Sequence, residues 1–185
     1  MRSIGTCLTL IVFSSFSFIL CSCSYYSSSD DIDRGRGYAA MSPPPDYSAR
    51  LPQTIATNEK VVVVDPKVHA WGAYDSDGSL QKAGLATSGS NWCPDIKRRC
   101  HTSTGTFRIY SLGASSCKSH IFPKPRGGAP MPYCMFFNRG QALHGSGEVV
   151  DANVSHGCVR MHVADAEWLR FNFANVGTKV IVKSY

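Results

Sequence analysis

Ser155-His156-Gly157-Cys158-Val159-Arg160, with His144-Gly145-Ser146 upstream, is the stretch whose residue types can do covalent chemistry. A cysteine attacks a carbonyl as its thiolate, so it needs a base, and the oxyanion that forms needs backbone N–H groups to hold it. His144 is the candidate base and Cys158 the candidate nucleophile. Gly157, lacking a side chain, lets a substrate carbonyl approach the backbone beside the sulfur. Arg160 can hold a substrate carboxylate through a two-point contact. Together these residues outline a site for nucleophilic acyl transfer. His156 is a second candidate base, but residues two apart on an extended strand point the same way without their tips readily meeting. Ser155 is expected to act structurally, through hydroxyl or backbone hydrogen bonds.

These motifs resemble the signature of the bacterial L,D-transpeptidases, the YkuD-type domain. Thr104-Gly105-Thr106-Phe107-Arg108-Ile109 is similar to that family's Thr-Pro-x-Gly-x-Phe segment, and Gly177-Thr178-Lys179-Val180-Ile181-Val182 to its closing strand. The string Asp65-Pro66-Lys67-Val68-His69-Ala70-Trp71-Gly72-Ala73-Tyr74 further resembles a subgroup called the enhanced-entry proteins. Two departures stand beside the likeness. The fourteen positions from His144 to Cys158 are fewer than is usual in the family, implying a trimmed loop over Glu148 to Val154. Ser103 also occupies the place of the proline before the mid-domain glycine, where proline mainly stiffens a turn.

The elements that must position these residues are mostly strands. Val61 to Val64 reads as a buried strand stopped by Asp65-Pro66. Val68 to Tyr74 and Leu80 to Thr87 flank Asp75-Ser76-Asp77-Gly78, a hairpin signal. Further strands are expected at Thr106 to Leu112, Cys134 to Phe137 and Lys179 to Lys183, with a strand ending near Gln141-Ala142-Leu143. Only Val163 to Val176 reads as a helix, with Ala166, Leu169 and Phe173 at helical spacing. The expected fold is mainly β, a YkuD-like β-sandwich with one helix in the C-terminal region. Ser115 to Pro132, rich in Gly and Pro, is expected to be a loop near the site.

Three regions follow: a lipoprotein-type signal peptide over 1–23, a flexible tether over 24–58 and a catalytic domain over 59–185. Arg2 and the apolar run Leu8 to Leu20 have the form of an export signal, too short to read first as a membrane span. Leu20-Cys21-Ser22-Cys23 resembles a lipobox with Cys23 as the lipidated residue, so a membrane is an expected partner through that anchor. Residues 24–58 carry Ser, Asp, Gly and Pro without apolar periodicity. Of the eight cysteines, Cys93, Cys100, Cys117 and Cys134 remain once the signal, the lipid site and Cys158 are set aside. An even number in an exported domain suggests two disulfides with three possible pairings, of which Cys93–Cys100 and Cys117–Cys134 are preferred on proximity alone. A zinc site of Cys93, Cys100, His101 and Cys117 is disfavoured by spacing and by an oxidising compartment. The net charge of +6 is mild, and no basic cluster with interleaved aromatics points to nucleic acid.

The resemblance implies a peptidoglycan stem tetrapeptide as substrate and neither metal nor organic cofactor. Cys158 attacks the carbonyl of the third residue, N–H groups near Gly157 and Cys158 hold the oxyanion, and the terminal D-alanine leaves. An amine from a second stem then completes a 3→3 cross-link in the cell wall. By the same resemblance the carbonyl of Gly145 orients His144, and His156 shapes the site. Water as acceptor makes the same site an L,D-carboxypeptidase, and a lysine on another protein makes it a protein-to-peptidoglycan ligase. A non-catalytic wall-binding or host-interaction lipoprotein is the remaining class, opposed by the intact Cys158–His144 pair.

Overall fold

The computed structural model describes residues 45–185, so the expected signal peptide, Cys23 and the first part of the expected tether lie outside the described residues. The domain is built on two sheets. One has five strands: β1 (Val61–Asp65), β2 (Ala70–Tyr74), β3 (Leu80–Leu85), β4 (Gly105–Arg108) and β9 (Lys179–Val182), in the order β3-β2-β1-β9-β4. The other has four: β5 (Ser111–Leu112), β6 (Met135–Asn138), β7 (Gln141–Gly145) and β8 (Val159–Met161), in the order β5-β6-β7-β8. The single α-helix among the described residues, α1 (Val163–Trp168), continues as a wider π turn over Leu169–Phe173. This is the mainly-β, sandwich-like architecture with one helix expected from the sequence.

The local reasons are ordinary. Asp75 to Ser79 closes the β2–β3 hairpin, with the Gly78 N–H donating to Asp75 O at 2.9 Å and Gly78 at φ +86°, a conformation that favours glycine. β1 is apolar from Val61 to Val64 because both faces are covered there. Val62 and Val64 point into the main core with Trp71, Ile109, Met135, Leu143, Val159, Met161, Leu169 and Val180. Val61 and Val63 point the other way, onto Tyr74, Ile55, Leu80 and Ile181. A continuous apolar run is what period-two alternation demands of a strand buried on both sides.

Three details differ from expectation. The segment Thr106 to Leu112 is two strands, not one: β4 pairs with β9 in the first sheet and β5 with β6 in the second, with Ile109 buried at the crossing. The helix stops at Phe173, because Ala174 turns to extended backbone after Leu169 and Phe173 have been buried. Residues 47–55, placed in the tether by sequence, pack on the domain. Leu51 is buried, the Tyr74 hydroxyl donates to Pro52 O at 2.8 Å, and the Leu80 N–H donates to Gln53 O at 2.9 Å. Lone apolar residues spaced by polar ones give no periodic signal, yet Leu51 is buried and Ile55 packs on the sheet.

Candidate active site

The site rests on the pairing of β7 with β8, which is parallel: Leu143 lies opposite Val159, His144 opposite Arg160, and Gly145 opposite Met161. Side chains alternate between faces along each strand. Leu143, Val159 and Met161 enter the main core. The opposite face therefore carries Ala142, His144, Arg160 and, one step before β8, Cys158, which packs with Met131, Cys134 and Ala142. One strand brings the candidate base and its neighbour brings the candidate nucleophile. Both line the same open cavity of about 730 Å3, together with Arg160, Ser155, His156 and Gln141.

His144 is buried, with 5% of its surface exposed. Its Nδ1 lies 2.8 Å from Gly145 O and can only donate there, so Nε2 is the nitrogen free to act as base. Burial drops its pKa to about 4, against the opposing pull of the Gly145 hydrogen bond and with a small push from Arg160. Cys158 is the sole free cysteine among the described residues and is partly exposed. Burial of its sulfur raises its pKa, while a backbone hydrogen bond from Ala142 and the charge of Arg160 work the other way. With the imidazole shifted down and the thiol shifted up, the resting pair is neutral thiol and neutral imidazole.

The turn before Cys158 is held from inside. Ser155, 1% exposed, donates through its hydroxyl to Cys158 O and accepts the Gly157 N–H at 3.1 Å. Gly157 sits at φ +119°, where a side chain would be strained and its Cβ would press on Gln141 Nε2. Its N–H is thus engaged by Ser155, and what Gly157 offers the site is an open approach. Arg160 reaches Glu148 Oε2 at 3.1 Å, and its backbone pairs with Thr87 in both directions, at 2.9 and 3.0 Å.

His156 lies on the cavity wall, but its Nε2 is 2.9 Å from both carboxylate oxygens of Asp95, and its ring lies 4.5 Å from that of Phe122. The His156 contact holds the Asp95 carboxyl below the usual range. Two disulfides, Cys93–Cys100 and Cys117–Cys134, close the loops that carry Asp95 and Phe122, and they are the pairs preferred from sequence. Cys93, Asp95 and His156 approach within 4.8 Å, but the Cys93 sulfur is bonded to Cys100 and is not available as a thiolate ligand. The loop Ser115 to Pro132 does flank the site: Lys118, Phe122 and Met131 line the cavity, as does Arg98 from the other loop. Asp95, Phe122, Gln141 and Glu148 were not singled out in the sequence. The one signal toward Asp95 was its place between two cysteines.

The model of the YkuD family, described as the L,D-transpeptidase catalytic domain, matches residues 59–182. The chain therefore belongs to the YkuD L,D-transpeptidase family. An L,D-transpeptidase from Xylanimonas cellulosilytica shares 26% identity at a TM-score of 0.59, over 73% of this chain and 66% of that one. An L,D-transpeptidase from Mycobacterium smegmatis shares 23% identity at a TM-score of 0.54, over 68% of this chain and 59% of that one. L,D-transpeptidase 3 from Mycobacterium tuberculosis, solved with a faropenem-derived adduct, shares 23% identity at a TM-score of 0.53, over 68% and 60%. The chain thus spans less than two thirds of the length of these structures. Among curated proteins no sequence matches it.

Proposed function

We propose that this protein is a cysteine-dependent acyltransferase acting on peptidoglycan stem peptides, an L,D-transpeptidase that releases the terminal D-alanine and forms 3→3 cross-links. The observation that carries the reading is the parallel β7–β8 pairing, which sets His144 and Cys158 on one face and on the wall of one cavity. Family membership adds the substrate class.

In this mechanism the Cys158 thiol gives its proton to His144 Nε2 as the sulfur attacks the third-residue carbonyl. Because both groups rest neutral, the proton moves with the attack and the imidazolium is formed only when needed. With the Gly157 N–H held by Ser155, the Cys158 N–H takes the role of backbone donor to the oxyanion. Collapse breaks the amide bond, and His144 returns the proton to the departing D-alanine amine. An acceptor amine then attacks the thioester, loses a proton to His144 and regenerates the thiol. Gly145 O keeps the imidazole oriented, in the place an acidic partner takes in a Ser-His-Asp triad. Arg98, Lys118 and Arg160 line the cavity, and the one acid among its described lining residues, Glu148, is paired with Arg160. That balance suits a substrate carrying carboxylates.

The test is incubation of the purified protein, with Cys158 verified as reduced, with disaccharide-tetrapeptide, followed by mass spectrometry beside Cys158→Ala. Dimer formation with loss of D-alanine, absent in the variant, is the expected result. Loss of D-alanine without dimer converts the reading to a carboxypeptidase. No change overturns both.

We further propose that the protein is exported to the cell envelope and held to a membrane by lipid on Cys23. The N-terminal pattern and the two disulfides of the domain support this.

A further inference from the structure

The segment just before the family domain is tied to the loop that joins base to nucleophile. Tyr47–Arg50 forms one 3-10 turn, capped by Asp46, whose Oδ1 accepts the Ser48 N–H at 2.9 Å. Leu51 and Ile55 then seat on the outer face of the first sheet, and the Ile55 N–H donates to Gly78 O at 2.9 Å. This anchoring aims the Arg50 guanidinium at Asp151. Nη1 and Nη2 meet its two carboxylate oxygens at 2.9 and 2.7 Å, a two-point fork, and Nη1 also donates to Val68 O at 3.0 Å. His69 Nδ1 reaches the same carboxylate at 2.8 Å.

Asp151 belongs to residues 146–154, which run from the end of β7, and so from His144, to the Ser155–Cys158 turn. This loop has no strand ladder of its own: at its start the Ser146 N–H donates to Met161 O at 2.9 Å and Glu148 meets Arg160 at 3.1 Å, and three further polar ties hold the rest. Val150 exchanges hydrogen bonds with Thr87 Oγ1 at 2.8 and 2.6 Å. Asn153 Nδ2 donates to Pro66 O at 2.9 Å. The third tie is Asp151. Arg50 and Asp151 are both partly exposed, with side chains 32% and 52% accessible, and an ion pair so wet adds little to stability. A fork that fixes both planes is better suited to setting geometry.

We propose that residues 47–55 are a built-in positioning element of the active site, and that Arg50 and Asp151 are positioning residues which fix the loop between His144 and Cys158. The proposal rests on reading those two as a base–nucleophile pair. It makes the catalytic unit longer than the family domain: a chain cut at residue 59 would keep every reacting group and lose their alignment.

The experiment compares the full chain with Arg50→Ala, Asp151→Ala, the double variant and Arg50→Lys. Two quantities are read: the rate at which a neutral haloacetamide alkylates Cys158, which needs no substrate, and kcat and KM for D-alanine release from disaccharide-tetrapeptide. Each single alanine variant is expected to slow alkylation and lower kcat about tenfold with KM little changed, short of the hundredfold that a 1 Å misplacement costs. The double variant should lose no more than Asp151→Ala, since the two groups act as one. Lysine at 50, which keeps the charge without the fork, should restore only part of the rate. Unchanged alkylation in the single variants, or losses that simply multiply, overturns the proposal. D-alanine release missing even from the unaltered protein, with alkylation still slowed in the variants, would leave the positioning role standing and remove the transpeptidase reading.

Discussion

His144 makes stability depend on pH in a way that can be worked out in advance. Its imidazole is buried and its pKa lies at about 4, against an ordinary value of 6.5 that the unfolded chain will show. Below pH 6.5 the unfolded state takes up a proton that the folded state refuses, so acid favours unfolding. The contribution is intact above pH 6.5, falls as the pH drops toward 4, and levels off below that. For these two values the linkage relation gives a loss of about 2 kcal/mol between pH 7.5 and pH 5, and about 3 kcal/mol by pH 4.

The perturbation is His144→Gln, which fills much of the same space and cannot titrate. Its own cost in packing is the same at every pH. The paired acids Glu59 and Asp151 have pKa values of about 2, below the window, and every other histidine is common to both proteins. Urea unfolding followed by tryptophan fluorescence at pH 7.5 and pH 5 reads the difference, with buried Trp71 as a core reporter. The unaltered protein should lose about 2 kcal/mol more than the variant over that interval. Equal losses in the two proteins would refute the buried, neutral imidazole, and with it the neutral resting pair. If the pair is neutral, D-alanine release will lack the usual histidine limb near pH 6.5 and keep its imidazole in the basic form down to about pH 4.

Two other outcomes are expected. Ser155→Ala strips a buried turn of two hydrogen bonds, leaving the Gly157 N–H and Cys158 O without that partner, at about 1–3 kcal/mol in urea unfolding. It should also lower kcat more than it changes KM, and a variant as active and stable as the original would show the turn is held some other way. In cells fed an alkyne fatty acid, the full chain should become labelled and Cys23→Ala should not; equal labelling of the two would end the lipid-anchor proposal.

Much of the fold was legible because its strands carry local signals. The valine run of β1, buried on both faces, and the Asp75-to-Gly78 turn stand within a few residues of what they specify. β8 was missed since its three residues have no strand pattern of their own, and their conformation comes from parallel pairing with β7. The split of Thr106 to Leu112 between sheets was missed for the same kind of reason. Periodicity reports which face is buried, and Ile109 is buried whichever sheet its neighbours join. The packed segment 47–55 shows the limit from the other side: its burial depends on the outer face of a sheet that no local pattern describes.

The candidate site divides along the same line. Residues able to react sit near one another in sequence, because chemistry needs particular side chains and the parallel β7–β8 pairing is joined by a single loop, 146–158. The residues that hold them come from far away. Asp95 and Phe122 approach His156 from opposite loops, one closed by a disulfide of sequence separation 7 and the other by one of separation 17. Neither loop has a strand ladder long enough to order it, and both are rich in polar or turn-forming residues. A cross-link removes much of the freedom such a loop would otherwise have to lose on ordering. The site's walls can then be set by a few contacts: Asp95 on one side, the Phe122 ring on another, and the Arg50–Asp151 fork on the loop between base and nucleophile. Such contacts are individually weak, which is why they leave so little trace in composition or spacing. Their leverage comes from acting on backbone that has no strand ladder and is held at only a few points.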